Sequence, residues 1–442
     1  MKTISISHDP VLRRTTFRSL FQATGRVSSY FGAQVTIQLA NVLAGFLLIR
    51  TLDKSHYGWF TIVTGAMAMI SVLADSGLGS AFTSLGGKTF NQPGVFSGLA
   101  SLVRRKRLQF LIIAAIVVLP LNAWALHRNG CSLWTICALL AMVVTSAIPS
   151  TDAVVLATVN KLFSRVKNIV AADLTLSLSK LAMIGIVCLT APSVATATLC
   201  GLIALWLQFY VLRRQTSDIL MVPAEPVEGY LPQVNSTVAH VLPTCIFTCV
   251  QAQLATYILS FFAGIEQVAD LGALMRLAIA FTFLTLPLQQ IFLPKIARCQ
   301  DRMKLKQAIT RTMIGAAAAA IVVVILGCVF SSQLLSLLGE KYSHLNRELL
   351  VFLAISAVGF LANAAWGVAF TRAWVANGWL NIPLAVALQI AIAPLIDFSQ
   401  VSGVILFGLA GHVASLVVGC GLIIKGHKHE FSTKPSTTES EI

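Results

Sequence analysis

Residues 213–236 read RRQTSDILMVPAEPVEGYLPQVNS, the longest gap between apolar blocks in the chain. Pro223, Pro226 and Pro232 stand there beside Asp218, Glu225 and Glu228, so breakers and charges together mark a linker. Apolar blocks flank it on both sides. They run approximately over 29–51, 57–84, 108–126, 132–159, 168–190 and 193–212 before it, and over 237–262, 267–294, 308–330, 347–371, 378–396 and 402–424 after it. A helix needs about 20 apolar residues to cross the hydrocarbon. The blocks therefore predict twelve spans, six on each side of the linker.

Composition agrees with a membrane chain. Of 442 residues, 56% are hydrophobic and 11% are charged, against roughly 25% charged in a soluble domain; the mean hydropathy is +0.81. A net charge of +15 would suggest nucleic acid in a soluble protein, but here its distribution follows the spans. Twenty-five of the 32 lysines and arginines fall on seven alternate gaps and tails. Arg50, Lys54, Arg128, Lys341 and Arg347 fall on the other side, and only Lys180 and Arg276 lie inside apolar blocks. Because cytoplasmic loops carry the surplus of Lys and Arg, both termini are expected in the cytoplasm, with the basic loops against anionic lipid head groups. No nucleic-acid partner is expected.

These readings divide the chain into a cytoplasmic amphipathic arm (1–28), an N-lobe of six spans (29–212), a cytoplasmic linker (213–236), a C-lobe of six spans (237–424) and a cytoplasmic tail (425–442). In the arm, Arg13, Arg14 and Arg18 precede a polar and aromatic stretch with no short apolar core and cleavage site, unlike a signal peptide. The two lobes carry a weak repeat. Residues 48–58, LIRTLDKSHYG, and 261–272, FFAGIEQVADLG, each end a span, turn through an acid and reach a glycine. An even number of spans separates the copies, so the halves share one orientation. The expected fold is an all-α polytopic membrane protein of about twelve transmembrane helices in two six-helix lobes, related by a parallel pseudo-two-fold repeat. Transporters with a site between two lobes are built in this way.

Three pieces, GFLLIR at 45–50, HYGWF at 56–60 and DSGLGSA at 75–81, resemble the opening of Wzx-type bacterial polysaccharide and O-antigen flippases. Those proteins belong to the multidrug/oligosaccharidyl-lipid/polysaccharide exporter superfamily. The resemblance is strongest over 29–90 and extends as topology over roughly 30–425. It implies lobes that open alternately to the two faces of a bacterial inner membrane. The implied substrate is an undecaprenyl-pyrophosphate-linked oligosaccharide for lipopolysaccharide, O-antigen or exopolysaccharide biosynthesis. The implied partners are that lipid-linked oligosaccharide, membrane lipids, a polysaccharide polymerase and a chain-length regulator. No cofactor is implied beyond coupling to a proton or sodium gradient.

Ionisable side chains within the membrane are costly and mark functional positions. At 1.5 Å per residue, Lys180 lies roughly 18 Å and Arg276 roughly 14 Å into their spans, near the middle of a core about 30 Å thick. They come from different halves and are expected to bind substrate. Fixed cations suit a pyrophosphate, and arginine grips such oxygens with two parallel hydrogen bonds. The competing structural reading is a bridge between Lys180 and Asp173 on one helix face. Gln34, Gln38 and Asn41 share a face of the first helix, and Gln251 and Gln253 interrupt the seventh. These amides fit sugar hydroxyls and, equally, contacts between helices. Asp75, Asp152 and Asp173 lie near the cytoplasmic ends of their spans and are expected to pair with Lys161, Arg165 or Arg104–Arg107, as a gate or as a static bridge. Arg50, beside Asp53, is a candidate for the outer vestibule, although such residues mostly reach for head groups.

No metal-binding set of His or Cys, phosphate-binding glycine loop or paired catalytic carboxylates stands out, so an enzyme is not expected. The nine cysteines read as small packing residues. Two alternatives remain: a drug/cation antiporter of the same superfamily, and a non-transporting component of a polysaccharide assembly complex. An antiporter for organic cations is expected to carry a carboxylate deep in the first or seventh helix, where this chain has amides.

Overall fold

The structure is a computed structural model, and it describes residues 32–432. The arm at 1–28 and the tail beyond residue 432 lie outside the described residues. Within them the chain is helical and contains no strand, and twelve helices are long and apolar enough to cross a membrane. The protein is a multi-pass membrane protein.

The first half comprises α1 (Gly32–Thr51), α2 (Lys54–Asp75), α3 (Leu78–Thr89), α4 (Pro93–Arg128), α5 (Leu133–Leu162), α6 (Val166–Thr190) and α7 (Val194–Leu220). The second comprises α8 (Leu231–Phe262), α9 (Ile265–Leu277), α10 (Ile279–Pro287), α11 (Leu293–Arg298), α12 (Arg302–Val329), α13 (Ser331–Leu338), α14 (Asn346–Thr371), α15 (Asn381–Ile392) and α16 (Val401–Ser432). The sequence starts several of these helices chemically. Ser132 accepts the Thr135 N–H, Asp301 accepts the Lys304 N–H at 2.8 Å, and Ser193 with Thr196 forms a reciprocal capping box. Pro93 and Pro232 occupy first-turn positions, where a missing N–H costs nothing.

Several helices run past the expected boundaries. The apolar test finds only the part inside hydrocarbon, whereas backbone hydrogen bonding continues into polar sequence. Helix α4 begins at Pro93 and includes Arg104–Arg107. The segment expected as a linker over 213–236 shortens to 221–230, because α7 continues to Leu220 and α8 begins at Leu231. That segment is packed: the Glu225 N–H donates to Gly94 O at 3.1 Å, and a Cβ on Gly98 would stand 2.3 Å from Glu225 O. Likewise α16 extends through the first residues of the expected tail.

Two blocks are broken. The block at 57–84 is two helices, because Ser76 (φ 37°) and Gly77 (φ 86°) adopt the left-handed conformation that stops a helix. Gly77 tolerates that backbone and also lets Val241 of α8 approach, since a Cβ there would stand 2.8 Å from Val241 Cβ. The block expected at 267–294 is one apolar run, Ile265–Arg298, in three pieces. A turn at Ala278 separates α9 from α10, and Pro287, with no N–H to give, precedes a π segment at Leu288–Phe292.

Helix α2 packs against α4, α5 and α7 in its own half and against α8 and α9 in the other; α14 packs against α12 and α16, with α15 on α16. One apolar core runs through both halves, joining Ile49, Phe60 and Leu139 to Leu274, Leu349 and Leu353. Trp134, Leu189, Ile116 and Ile325 point outward, as they do when lipid is the solvent.

Candidate functional site

The basic loops define one end of the bundle, called the basic end; the opposite end is the far end. Between them, α1, α6 and α9 meet. Asn41 of α1 donates to Ser177 Oγ of α6 at 3.2 Å. Three residues further along α6, Lys180 lies within electrostatic range of Arg276 on α9. The Arg276 side chain rests on α1 at Gly45, where a Cβ would meet its Cδ at 3.3 Å. Its Nε donates to Tyr57 Oη at 3.3 Å, and that hydroxyl donates to Gly272 O, also at 3.3 Å. Arg276 occupies the last turn of α9, immediately before the break at Ala278.

Lys180 and Arg276 come from opposite halves and lie within electrostatic range, and among the described residues neither forms an ion pair. The Lys180–Asp173 bridge is not made; Asp173 instead accepts from Gln208 of α7 at 2.9 Å. Two like charges within electrostatic range of one another repel unless an anion lies between them. Gln34, Gln38 and Asn41 lie on α1 toward the basic end. Asn41 is committed to α6, while Gln38 has no hydrogen-bond partner among the described residues. Gln251 exchanges two 2.8 Å hydrogen bonds with Gln389 inside the second half, and Gln253 packs on Gly65 of α2.

The acidic candidates sort differently. Asp75 pairs with Arg107, and Asp152 with Arg104, whose Nε lies 3.0 Å from Asp152 Oδ1. Asp75 also accepts the Gly79 N–H, one of the free donors in the first turn of α3, at 3.1 Å. All of these contacts, and that of Asp173, lie within the first half. A rigid movement of one half against the other leaves them intact, which favours the static bridge over the gate. Arg50 does join the halves: it donates to Leu337 O at 3.0 Å and Ser336 O at 2.8 Å, while Lys341 returns a bond to Leu52 O at 2.7 Å.

The strongest contact between the halves involves residues not selected from sequence. At the far end Lys54 Nζ lies 2.9 Å from Asp270 Oδ1, and His344 Nε2 lies 3.3 Å from Asp270 Oδ2. Asp270 is 6% exposed. Gly58 takes Ile265 against its backbone, and Gly272 takes Thr61. The two copies of the sequence repeat thus pack on one another. The available signal was an acid flanked by Ala269 and Leu271 inside an apolar run.

No family model matches the chain, and no curated protein is similar to it. Solved structures share its fold. A multidrug resistance MATE family transporter of the MOP superfamily in an inward-facing conformation superposes with TM-score 0.70 at 14% identity, over 91% of this chain and 96% of that one. An outward-facing conformation gives 0.61 at 13% identity, over 90% and 93%. The lipid II flippase MurJ, in an inward closed conformation, gives 0.60 at 11% identity, over 92% and 93%. The fold is that of MATE and MurJ transporters.

Proposed function

We propose that this chain is a flippase that moves undecaprenyl-pyrophosphate-linked oligosaccharides across a bacterial inner membrane by alternating access, serving surface polysaccharide biosynthesis. The basic end, with both termini, faces the cytoplasm. One observation supports the reading: Lys180 and Arg276, one from each half, lie within electrostatic range, and among the described residues neither forms an ion pair with a carboxylate. A drug or other organic cation would be repelled there, whereas a pyrophosphate would relieve the repulsion. The contacts of Arg50, Lys54 and Lys341 hold the far end together, consistent with a state that loads from the cytoplasm.

Fold likeness to MATE transporters keeps the antiporter as the second reading, and charge separates the two. Purified protein in liposomes is given a lipid pyrophosphate or an organic cation, and translocation of each is measured. Translocation of the lipid pyrophosphate, with loss of at least about tenfold in Lys180→Ala and Arg276→Ala at normal membrane levels, supports the flippase; a tenfold loss corresponds to 1.4 kcal/mol. Translocation of the cation alone would overturn it. Interaction with a polymerase and a chain-length regulator belongs to the same reading.

A further inference from the structure

We propose that Tyr57 is the residue that reports occupancy of the cation pair to the far-end closure. The inference rests on the reading of Lys180 and Arg276 as an anion site and extends it to the movement that must follow binding. Tyr57 is fully buried, and its hydroxyl has two partners on α9: it accepts from Arg276 Nε and donates to Gly272 O. Its ring meets Tyr342 edge-on at the far end, with centroids 6.5 Å apart. Lys54, one turn away on α2, holds Asp270, and Asp270 lies six residues before Arg276 on α9. A single strip of α2 against α9 therefore begins at the ion pair and ends at the cation site.

An arginine that grips a pyrophosphate side-on, rather than through its two terminal nitrogens, uses Nε together with one terminal nitrogen. In the structure Nε belongs to Tyr57. Arg276 therefore gives up the Tyr57 hydroxyl when it turns that side of its fork to a ligand. Tyr57 then keeps only its bond to Gly272 O, and its complete burial keeps bulk solvent from replacing the lost donor. The strip is weakened at its inner end by ligand arriving there, while Lys54–Asp270 keeps the far end closed until that moment. Tyr57 touches Arg276 rather than the ligand, so it is a positioning residue.

The test is hydrogen–deuterium exchange of the full chain in nanodiscs, following residues 50–61 and 265–276, with undecaprenyl pyrophosphate as probe and undecaprenol as the uncharged control. In the parent protein the pyrophosphate raises exchange in both segments about fivefold, the equivalent of one lost hydrogen bond, and undecaprenol does not. Tyr57→Phe keeps the ring and removes the hydroxyl. Exchange without ligand is then already raised, and the probe adds little. Lys54→Ala supplies the contrast, with raised exchange and a preserved response to the probe. A Tyr57→Phe protein that behaves like Lys54→Ala has lost only packing, and the proposal fails while the anion site stands. A parent protein that binds no pyrophosphate, or binds it without change in either segment, overturns the proposal; in the first case the anion site falls with it.

Discussion

Lys54 and Asp270 form the one lysine or arginine ion pair to a buried carboxylate that joins the two halves among the described residues, at 2.9 Å with Asp270 6% and Lys54 22% exposed. Lys54 also reaches Glu266 on the same helix at 3.9 Å. Removing one member leaves Asp270 with His344 alone, or Lys54 with the exposed Glu266 alone. Loss of a fully buried partner costs about 3–5 kcal/mol, so about 2 kcal/mol against the closed far end is expected for this half-wet pair. Lys54→Ala and Asp270→Asn should each raise exchange at 50–61, and the double variant should fall short of their sum. Additive effects would show that the two residues do not interact.

Charge and shape separate at the central site. Arg276→Lys keeps the positive charge but loses the planar fork. Lipid pyrophosphate translocation is expected to fall by about tenfold, short of the loss in Arg276→Ala, corresponding to about 1.4 kcal/mol. Full activity in Arg276→Lys would mean that the charge acts without two-pronged recognition.

The glycines between α2 and α9 set the distance between the halves. A Cβ on Gly58 would stand 2.6 Å from Ile265 O, a backbone atom that has little freedom to retreat. Gly58→Ala is expected to push the far end apart at a cost of about 1–3 kcal/mol, read as increased exchange and a lower thermal midpoint. Gly315→Ala provides the control, since a Cβ there meets nothing within 4 Å. Equal effects in both variants would contradict the packing argument.

Arg107 is 3% exposed, pairs with Asp75 and donates to Thr151 O at 2.7 Å, whereas its neighbour Arg105 is exposed. Arg107→Ala should leave the partly exposed Asp75 with only the Gly79 N–H and remove the bond to Thr151 O, destabilising the first half by about 1–2 kcal/mol. Membrane levels should drop, while Arg105→Ala should leave them near normal. Normal levels and stability with selectively lost transport in Arg107→Ala would instead favour a gating role for this cluster.

The helices were legible because a span needs a run of apolar residues, and twelve runs stand out whatever packs against them. Their ends were less legible. Arg104–Arg107 and Arg213–Leu220 are too polar for the hydropathy pattern yet continue α4 and α7. The break after Asp75 had a visible cue in Gly77, while the turn at Ala278 had none in its immediate residues. Lys180 and Arg276 were legible as candidates because topology left them unexplained. Asp75, Asp152 and Asp173 were visible as acids near span ends, but a sequence gives no sign of which half supplies an acid's partner.

By itself the sequence determined a membrane chain of twelve helices divided six and six, because hydrocarbon length and the distribution of lysine and arginine act on local runs of residues. Tertiary structure decided which charges meet. Lys180 and Arg276 are 96 positions apart in the chain, and Lys54 reaches Asp270 across the junction of the halves. Side-chain pairing depends on how helices rotate and pack, and small residues such as Gly45, Gly58 and Gly272 fix those distances by what they leave out. Whether a cation becomes half of a salt bridge depends on whether packing brings a carboxylate beside it, as it does for Lys54 and not for Lys180 or Arg276 among the described residues.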